Sequence, residues 1–116
     1  MELHTVRAYC LKKKGAFEDF PFGEDKHVIK ICGKMFALLS DKDGVLHISL
    51  KCEPEACEIL REQYSAIKPG YHLNKRHWNT IEVDDSIPSE EILGMIDHSY
   101  QLVFKGLKKV DKESLR

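Results

Sequence analysis

The sequence predicts an α+β domain, with helices packed on one side of an antiparallel sheet and residues 1–116 forming one unit. Three observations lead there. Apolar residues repeat at helical spacing near both ends: Leu3, Val6 and Cys10 at one, and Leu93, Ile96, Tyr100, Val103 and Leu107 at the other. Residues 45–51 instead alternate, Leu46, Ile48 and Leu50 against His47, Ser49 and Lys51, as a strand buried on one face does. Strand signals also follow one another through short glycine-bearing turns, which join antiparallel neighbours. The element order is α-β-β-β-α-β-β-α, a two-layer α-β(3)-α-β(2)-α sandwich.

Residues 2–13 form the first helix, with Tyr9 beside its apolar face and Gly15 ending it. An irregular acidic and aromatic connection covers 16–26. Phe17, Phe20 and Phe22 are expected to turn inward there, with Pro21 and Gly23 shaping the chain. Residues 27–32 and 35–40 read as strands around a tight turn at Gly33-Lys34, and Asp41-Lys42-Asp43-Gly44 leads into the alternating strand at 45–51. Glu53-Pro54-Glu55 opens a second helix, since proline is tolerated in a first turn and acids suit a helix N-terminus; Cys57, Leu60 and Tyr64 line its buried face. Residues 67–71 form a short edge strand limited by Pro69 and Gly70. Residues 74–77 turn, and 78–83 alternate, with Asn79, Ile81 and Val83 opposing Trp78, Thr80 and Glu82. Ser89 is the expected N-cap of the last helix, with Glu90 and Glu91 in its first turn and a lysine-rich tail after it.

Net charge is −1 and the pI about 6.6, which argues against a non-specific nucleic-acid binder, whose domain pI usually exceeds ~9. The charge is unevenly spread, however. Residues 68–79 carry Lys68, Lys75 and Arg76 and no acid, whereas 82–91 carry five acids and no base. A near-neutral chain can still present a basic patch. No apolar run approaches the ~18 residues of a membrane span, and Met1-Glu2-Leu3-His4-Thr5 lacks the basic-then-apolar order of a secretory signal. The cytoplasm is therefore the default location, with no membrane partner. Cys10, Cys32, Cys52 and Cys57 contain no C-x-x-C pair and fit no zinc framework; they read as reduced packing residues, with a reactive thiol at Cys52 or Cys57 as the alternative.

The chemistry concentrates in residues 69–81, P-G-Y-H-L-N-K-R-H-W-N-T-I, which hold the only tryptophan. The segment is either a recognition surface or a polar structural corner. Lys75, Arg76 and Lys68 could pair with phosphates, Asn74 and Asn79 could read base edges, and Trp78, His72 or Tyr71 could stack. Equally, Trp78 could pack on the sheet edge, Asn74 could cap a turn and His72 could bond to backbone. His72 and His77 are five residues apart, the wrong spacing for one helical face, and no carboxylate lies between them, so neither a metal nor a cofactor is expected. No nucleophile elbow, HEXXH, P-loop or G-x-G-x-x-G occurs, and His77 has no identifiable nucleophile or orienting acid, so no catalytic residue is assigned.

The run H-L-N-K-R-H-W at 72–78 resembles the signature of the MmcQ/YjbR family, small bacterial proteins that carry H-L-N-K-x-H-W before a strand. Pro21-Phe22-Gly23 after the first helix, Leu50-Lys51 with Pro54-Glu55 at a strand-to-helix corner, and the D-x-S-Y of Asp97-His98-Ser99-Tyr100 fit as well, so the resemblance spans nearly the whole chain. It implies the same α-β(3)-α-β(2)-α sandwich, grouped with secretion-chaperone-like or frataxin-like (CyaY-like) folds, and a double-wing DNA-binding motif. It brings no catalytic residue to this chain. Glu18, Asp19, Glu24 and Asp25 invite comparison with frataxin's acidic iron-binding surface, but four acids in a loop read as solvated surface.

The leading expectation is a DNA-binding or regulatory module for duplex DNA. Lys51, Lys75 and Arg76 would contact phosphate, and Asn74, His77 and Trp78 would shape or read the contact. The alternatives are a protein-interaction or chaperone-like module, which needs an exposed apolar patch or an open sheet edge, and a small-ligand or enzymatic site around His72 and His77, which needs a concave pocket.

Overall fold

A computed structural model describes residues 1–116. The elements are α1 (Leu3–Leu11), β1 (Phe17–Asp19), β2 (Lys26–Ile31), β3 (Lys34–Lys42), β4 (Val45–Lys51), α2 (Pro54–Gln63), β5 (Ile67–Pro69), β6 (Trp78–Glu82), α3 (Ser89–Lys105) and α4 (Lys109–Ser114). All six strands form one antiparallel sheet in the order β1-β2-β3-β4-β6-β5. The predicted α+β sandwich is present, extended by the short edge strand β1 and the short helix α4. No helix is long and apolar enough to cross a membrane.

The helices share one face of the sheet: α1 and α3 lie over the central strands and α2 over β5 and β6. Side-chain alternation explains this. Leu46, Ile48 and Leu50 of β4 and Ile81 of β6 point toward the helices, where they meet Val6 and Cys10 of α1 and Ile92, Ile96 and Val103 of α3. Each fully buried aliphatic side chain contributes about 1.5–3 kcal/mol relative to exposure. Burial also pushes the Cys10 thiol up to about 12, so it is an inert core residue.

Both central hairpins close through two-residue turns whose central residues are left-handed, Cys32-Gly33 (φ 47° and 79°) and Asp43-Gly44 (φ 53° and 78°), the geometry that matches strand twist. The first turn therefore sits one residue earlier than predicted, and Lys34 already pairs with Ile31.

The D-x-S-Y segment of α3 is a set of structural ties. Asp97 accepts from Tyr9 Oη at 2.7 Å and from Lys13 Nζ, joining α3 to α1. Burial would raise its pKa, but these two donors outweigh that and lower it. Ser99, fully buried, donates to the Phe36 carbonyl at 2.6 Å and accepts from the Lys51 N–H at 2.9 Å. Tyr100 donates to the Lys14 carbonyl at 2.6 Å and meets Phe36 edge-on, with centroids 5.2 Å apart.

Three expectations are corrected. Phe17, Phe20 and Phe22 do not turn inward; they are 41–59% exposed, Phe17 on the short edge strand β1 and the other two in the connection that follows it. Glu18 and Asp19 instead anchor that edge. Glu18 accepts from Arg7 at 2.6 and 2.7 Å and pairs with His27 at 2.9 Å, and Asp19 accepts from Lys30 at 2.8 Å. The Arg7 bonds, opposed by burial and helped by His27, hold the Glu18 carboxyl below its usual range. Cys52 and Cys57 are not free packing thiols but a disulfide across the β4–α2 corner, where the bend brings their Cα atoms to 5.8 Å, inside the range a disulfide spans. Ser89 is the first helical residue rather than the cap; Pro88 holds the cap position, and its carbonyl accepts from Glu91 and Ile92.

Candidate functional site

Residues 70–77 join β5 to β6 as a corner held by hydrogen bonds. It opens with Gly70, whose N–H donates to the Trp78 carbonyl at 2.9 Å and whose carbonyl accepts from Lys75 Nζ at 3.1 Å. A Cβ on Gly70 would lie 2.7 Å from Trp78 Cβ, so only glycine fits this approach. Asn74 Oδ1 accepts from the Arg76 N–H at 3.0 Å, an Asx turn, and the Asn74 carbonyl accepts from the His77 N–H. Arg61 of α2 ties the corner from behind: its Nε donates to Asn79 Oδ1 at 2.7 Å and its Nη2 to the carbonyls of Lys75 and Trp78. The disulfide lies just below, with the Cys52 N–H donating to the His77 carbonyl and Asn79 Nδ2 to the Cys57 carbonyl.

The six sequence candidates thus divide. Asn74, Lys75, Arg76 and His77 share one turn, Trp78 starts β6, and Lys51 lies opposite Trp78 in the register. Asn74 and Lys75 bond to the corner's own backbone, whereas the exposed Arg76 side chain has no internal partner. Trp78 and His77 are half-buried. No carboxylate pairs with Lys51, Lys68, Lys75 or Arg76. His72 sits apart from that group, exposed, at φ 58° and in ring contact with Tyr71 at 4.0 Å.

The helix-free face of the sheet, beside the corner, holds a cavity of about 760 Å³. Its floor is a hydroxyl pair: Ser49 of β4 and Thr80 of β6, register partners with oxygens 2.8 Å apart, each only 4% exposed. The corner folds back over them, and the Tyr71 N–H donates to Thr80 Oγ1 at 3.1 Å. Next in the register, His47 donates from Nδ1 to the Val45 carbonyl at 2.9 Å, leaving Nε2 3.6 Å from Glu82. Sequence reasoning did not single these residues out. The alternation in β4 and β6 assigned their face, but the pairing that sets Ser49 beside Thr80 and His47 beside Glu82 comes only with the register.

A second, more apolar cavity of about 360 Å³ lies between α2, α3 and the sheet, walled by Leu50, Leu60, Ile67, Ile81 and Met95. No group of three or more histidine, cysteine, aspartate or glutamate side chains is arranged to hold a metal ion.

Comparison with known proteins gives a consistent result. Residues 11–102 match the family model described as YjbR. The chain is 36% identical over 101 residues to the uncharacterized protein YjbR of Escherichia coli K12, covering 87% of this chain and 86% of that protein. It is 39% identical over 97 residues to the uncharacterized protein YbdF of Escherichia coli O157:H7, covering 84% and 80%. Among solved structures, Deinococcus radiodurans DR2400, a DUF419 domain, superposes with a TM-score of 0.88 at 36% identity, over 97% of this chain and 86% of that one. A Pseudomonas syringae protein superposes with a TM-score of 0.77 at 31% identity, over 88% and 98%.

Proposed function

Taking as premise that the chain belongs to the YjbR family, we propose that it is a nucleic-acid-binding module whose 70–77 corner acts as a wing against duplex DNA. One observation carries the reading: the corner is an exposed, acid-free surface whose arginine is left without an internal partner. Arg76 contacts phosphate, with Lys68 and Lys75 adding to the field and Lys51 behind them. His77 and Trp78, half-buried, set the angle at which the turn projects. Rigidity favours such a role, because a loop already held by Arg61, Gly70 and the Asx turn loses little conformational entropy on binding. A double-wing, CyaY-like arrangement belongs to the same proposal.

The sheet edges offer less to a protein partner. Each edge strand is three residues long, and β5 ends in Pro69, which donates no backbone hydrogen bond.

The test is fluorescence anisotropy with labelled duplex DNA at about 50 and 200 mM salt. Two to three phosphate contacts predict affinity falling roughly 10- to 40-fold between these conditions. Replacing Lys75 and Arg76 together with alanine should flatten that dependence. No binding at the lower salt, or a double variant that binds like the parent, removes the proposal.

A further inference from the structure

We propose that the cavity on the helix-free sheet face is a small-molecule site of its own, with a nucleoside monophosphate as the class of ligand it takes. The proposal does not depend on duplex DNA binding at the corner.

The argument begins with what this face carries. Uncovered faces of antiparallel sheets are ordinarily solvated, yet Ser49 and Thr80 are withdrawn from solvent beneath the folded-back corner. Around this hydroxyl pair stand Ser40, His47 and Glu82, a mixture of donors and acceptors that suits the edge of a heterocycle or sugar hydroxyls. The cavity's size falls within the ~300–1,000 Å³ typical of small-ligand sites.

The walls supply the rest. Phe22 and Tyr71, 59% and 60% exposed, both line this cavity although they come from the β1–β2 and β5–β6 connections, at opposite ends of the strand order. Exposed aromatic rings on a concave polar surface are platforms for a planar ligand. The Lys42 ammonium sits 5.6 Å from the Tyr71 ring centroid, so one wall joins an aromatic face to a cation. Lys26, Lys42 and Lys68 have no carboxylate partner within ion-pair distance.

The charge balance narrows the ligand. Three lysines and three carboxylates, Asp25, Asp41 and Glu82, line the cavity. The lining is net neutral, so its unpaired lysines can receive one anionic group but supply no excess positive charge for a polyphosphate. His72, at φ 58° in the turn beside Tyr71, is also among the residues that line the cavity.

The experiment is a titration of the ¹⁵N-labelled full chain with AMP, GMP, CMP and UMP separately, followed by amide and imidazole shifts, with inorganic phosphate as a parallel probe. Saturable shifts at His47, Ser49, Tyr71, His72 and Thr80 are expected for at least one nucleotide. Tyr71→Ala, at an exposed position that leaves the core intact, should weaken that binding about tenfold, the loss expected for one stacking platform. Lys68→Ala should weaken it by a similar factor. Replacing Arg76 alone with alanine, which keeps every hydrogen bond of the corner, should leave it within twofold, so this site and the DNA reading fail separately. No saturable shift with any nucleotide, equal affinity for inorganic phosphate alone, shifts confined to 74–76, or a Tyr71→Ala variant that binds like the parent each overturn the proposal.

Discussion

Gly70→Ala tests the structure at the point where the corner meets the sheet. The added Cβ would lie 2.7 Å from Trp78 Cβ, 3.0 Å from the Trp78 carbonyl oxygen and 3.2 Å from Leu73 Cβ. Carbon–carbon contacts rest at about 3.5–4.0 Å, so the corner and β6 must separate by about 1 Å. That movement lengthens the Gly70 N–H bond to Trp78 and shifts the carbonyl that receives Lys75. Overpacking costs about 1–3 kcal/mol and a weakened backbone bond about 1 kcal/mol, offset by about 0.5 kcal/mol from the stiffer unfolded chain. The net is a loss of roughly 2–3 kcal/mol, which for a chain of this length lowers Tm by roughly 8–12 °C. Circular-dichroism melts of the parent and the variant read this directly. A Tm within about 2 °C of the parent would refute the claim that close approach, rather than chance, places glycine there.

Gly94 is the opposite case: it sits in α3 with nothing within 4 Å of its would-be Cβ, so Gly94→Ala should stabilise by about 0.5–1 kcal/mol in the same melts. Because the folded Glu18 carboxyl lies below its unfolded value, its pair with Arg7 stabilises above the unfolded pKa and is lost as pH falls through the folded one. Urea midpoints of the parent should therefore drop from about pH 5 to pH 3 more steeply than those of Glu18→Gln, and identical slopes would contradict the pair's role. For the Cys52–Cys57 bond, alkylation of the unreduced, denatured chain followed by mass spectrometry should label Cys10 and Cys32 alone. Reduction should lower stability by about 2 kcal/mol, as expected for so short a loop.

Much of this fold is readable from residue pattern because local rules and tertiary packing agree. Leu46, Ile48 and Leu50 alternate and face the helices, and Leu93, Ile96 and Val103 keep helical spacing and pack on the sheet. Reading failed where a side chain's fate depends on what lies above it. Phe17, Phe20 and Phe22 are apolar enough for a core, but they stand on or beside a three-residue edge strand that leaves their rings exposed. The Cys52–Cys57 bond depends on the angle at which α2 leaves β4, and α4 is a six-residue helix without a strong apolar repeat. In the candidate site the residue types were visible but their partners were not. Arg61 lies 14 residues before Lys75 and gave no sign that it would brace that turn.

Lys75 and Arg76 are adjacent and equally basic, yet the corner uses them differently. Lys75 returns its ammonium to the Gly70 carbonyl, so part of its charge helps hold the turn. Arg76 lends the turn its backbone N–H through Asn74 Oδ1, which leaves its guanidinium to solvent. If the corner both folds and binds, the single alanine variants should separate the two duties. Lys75→Ala loses a charged hydrogen bond in a partly exposed setting and should destabilise by about 1 kcal/mol. Arg76→Ala keeps every hydrogen bond of the corner and should leave Tm unchanged, while it removes one phosphate contact and reduces the salt slope of DNA binding by about 1. Equal loss of stability in both variants would mean that Arg76 also holds the turn. Its exposed guanidinium could then no longer serve as the argument for nucleic-acid contact.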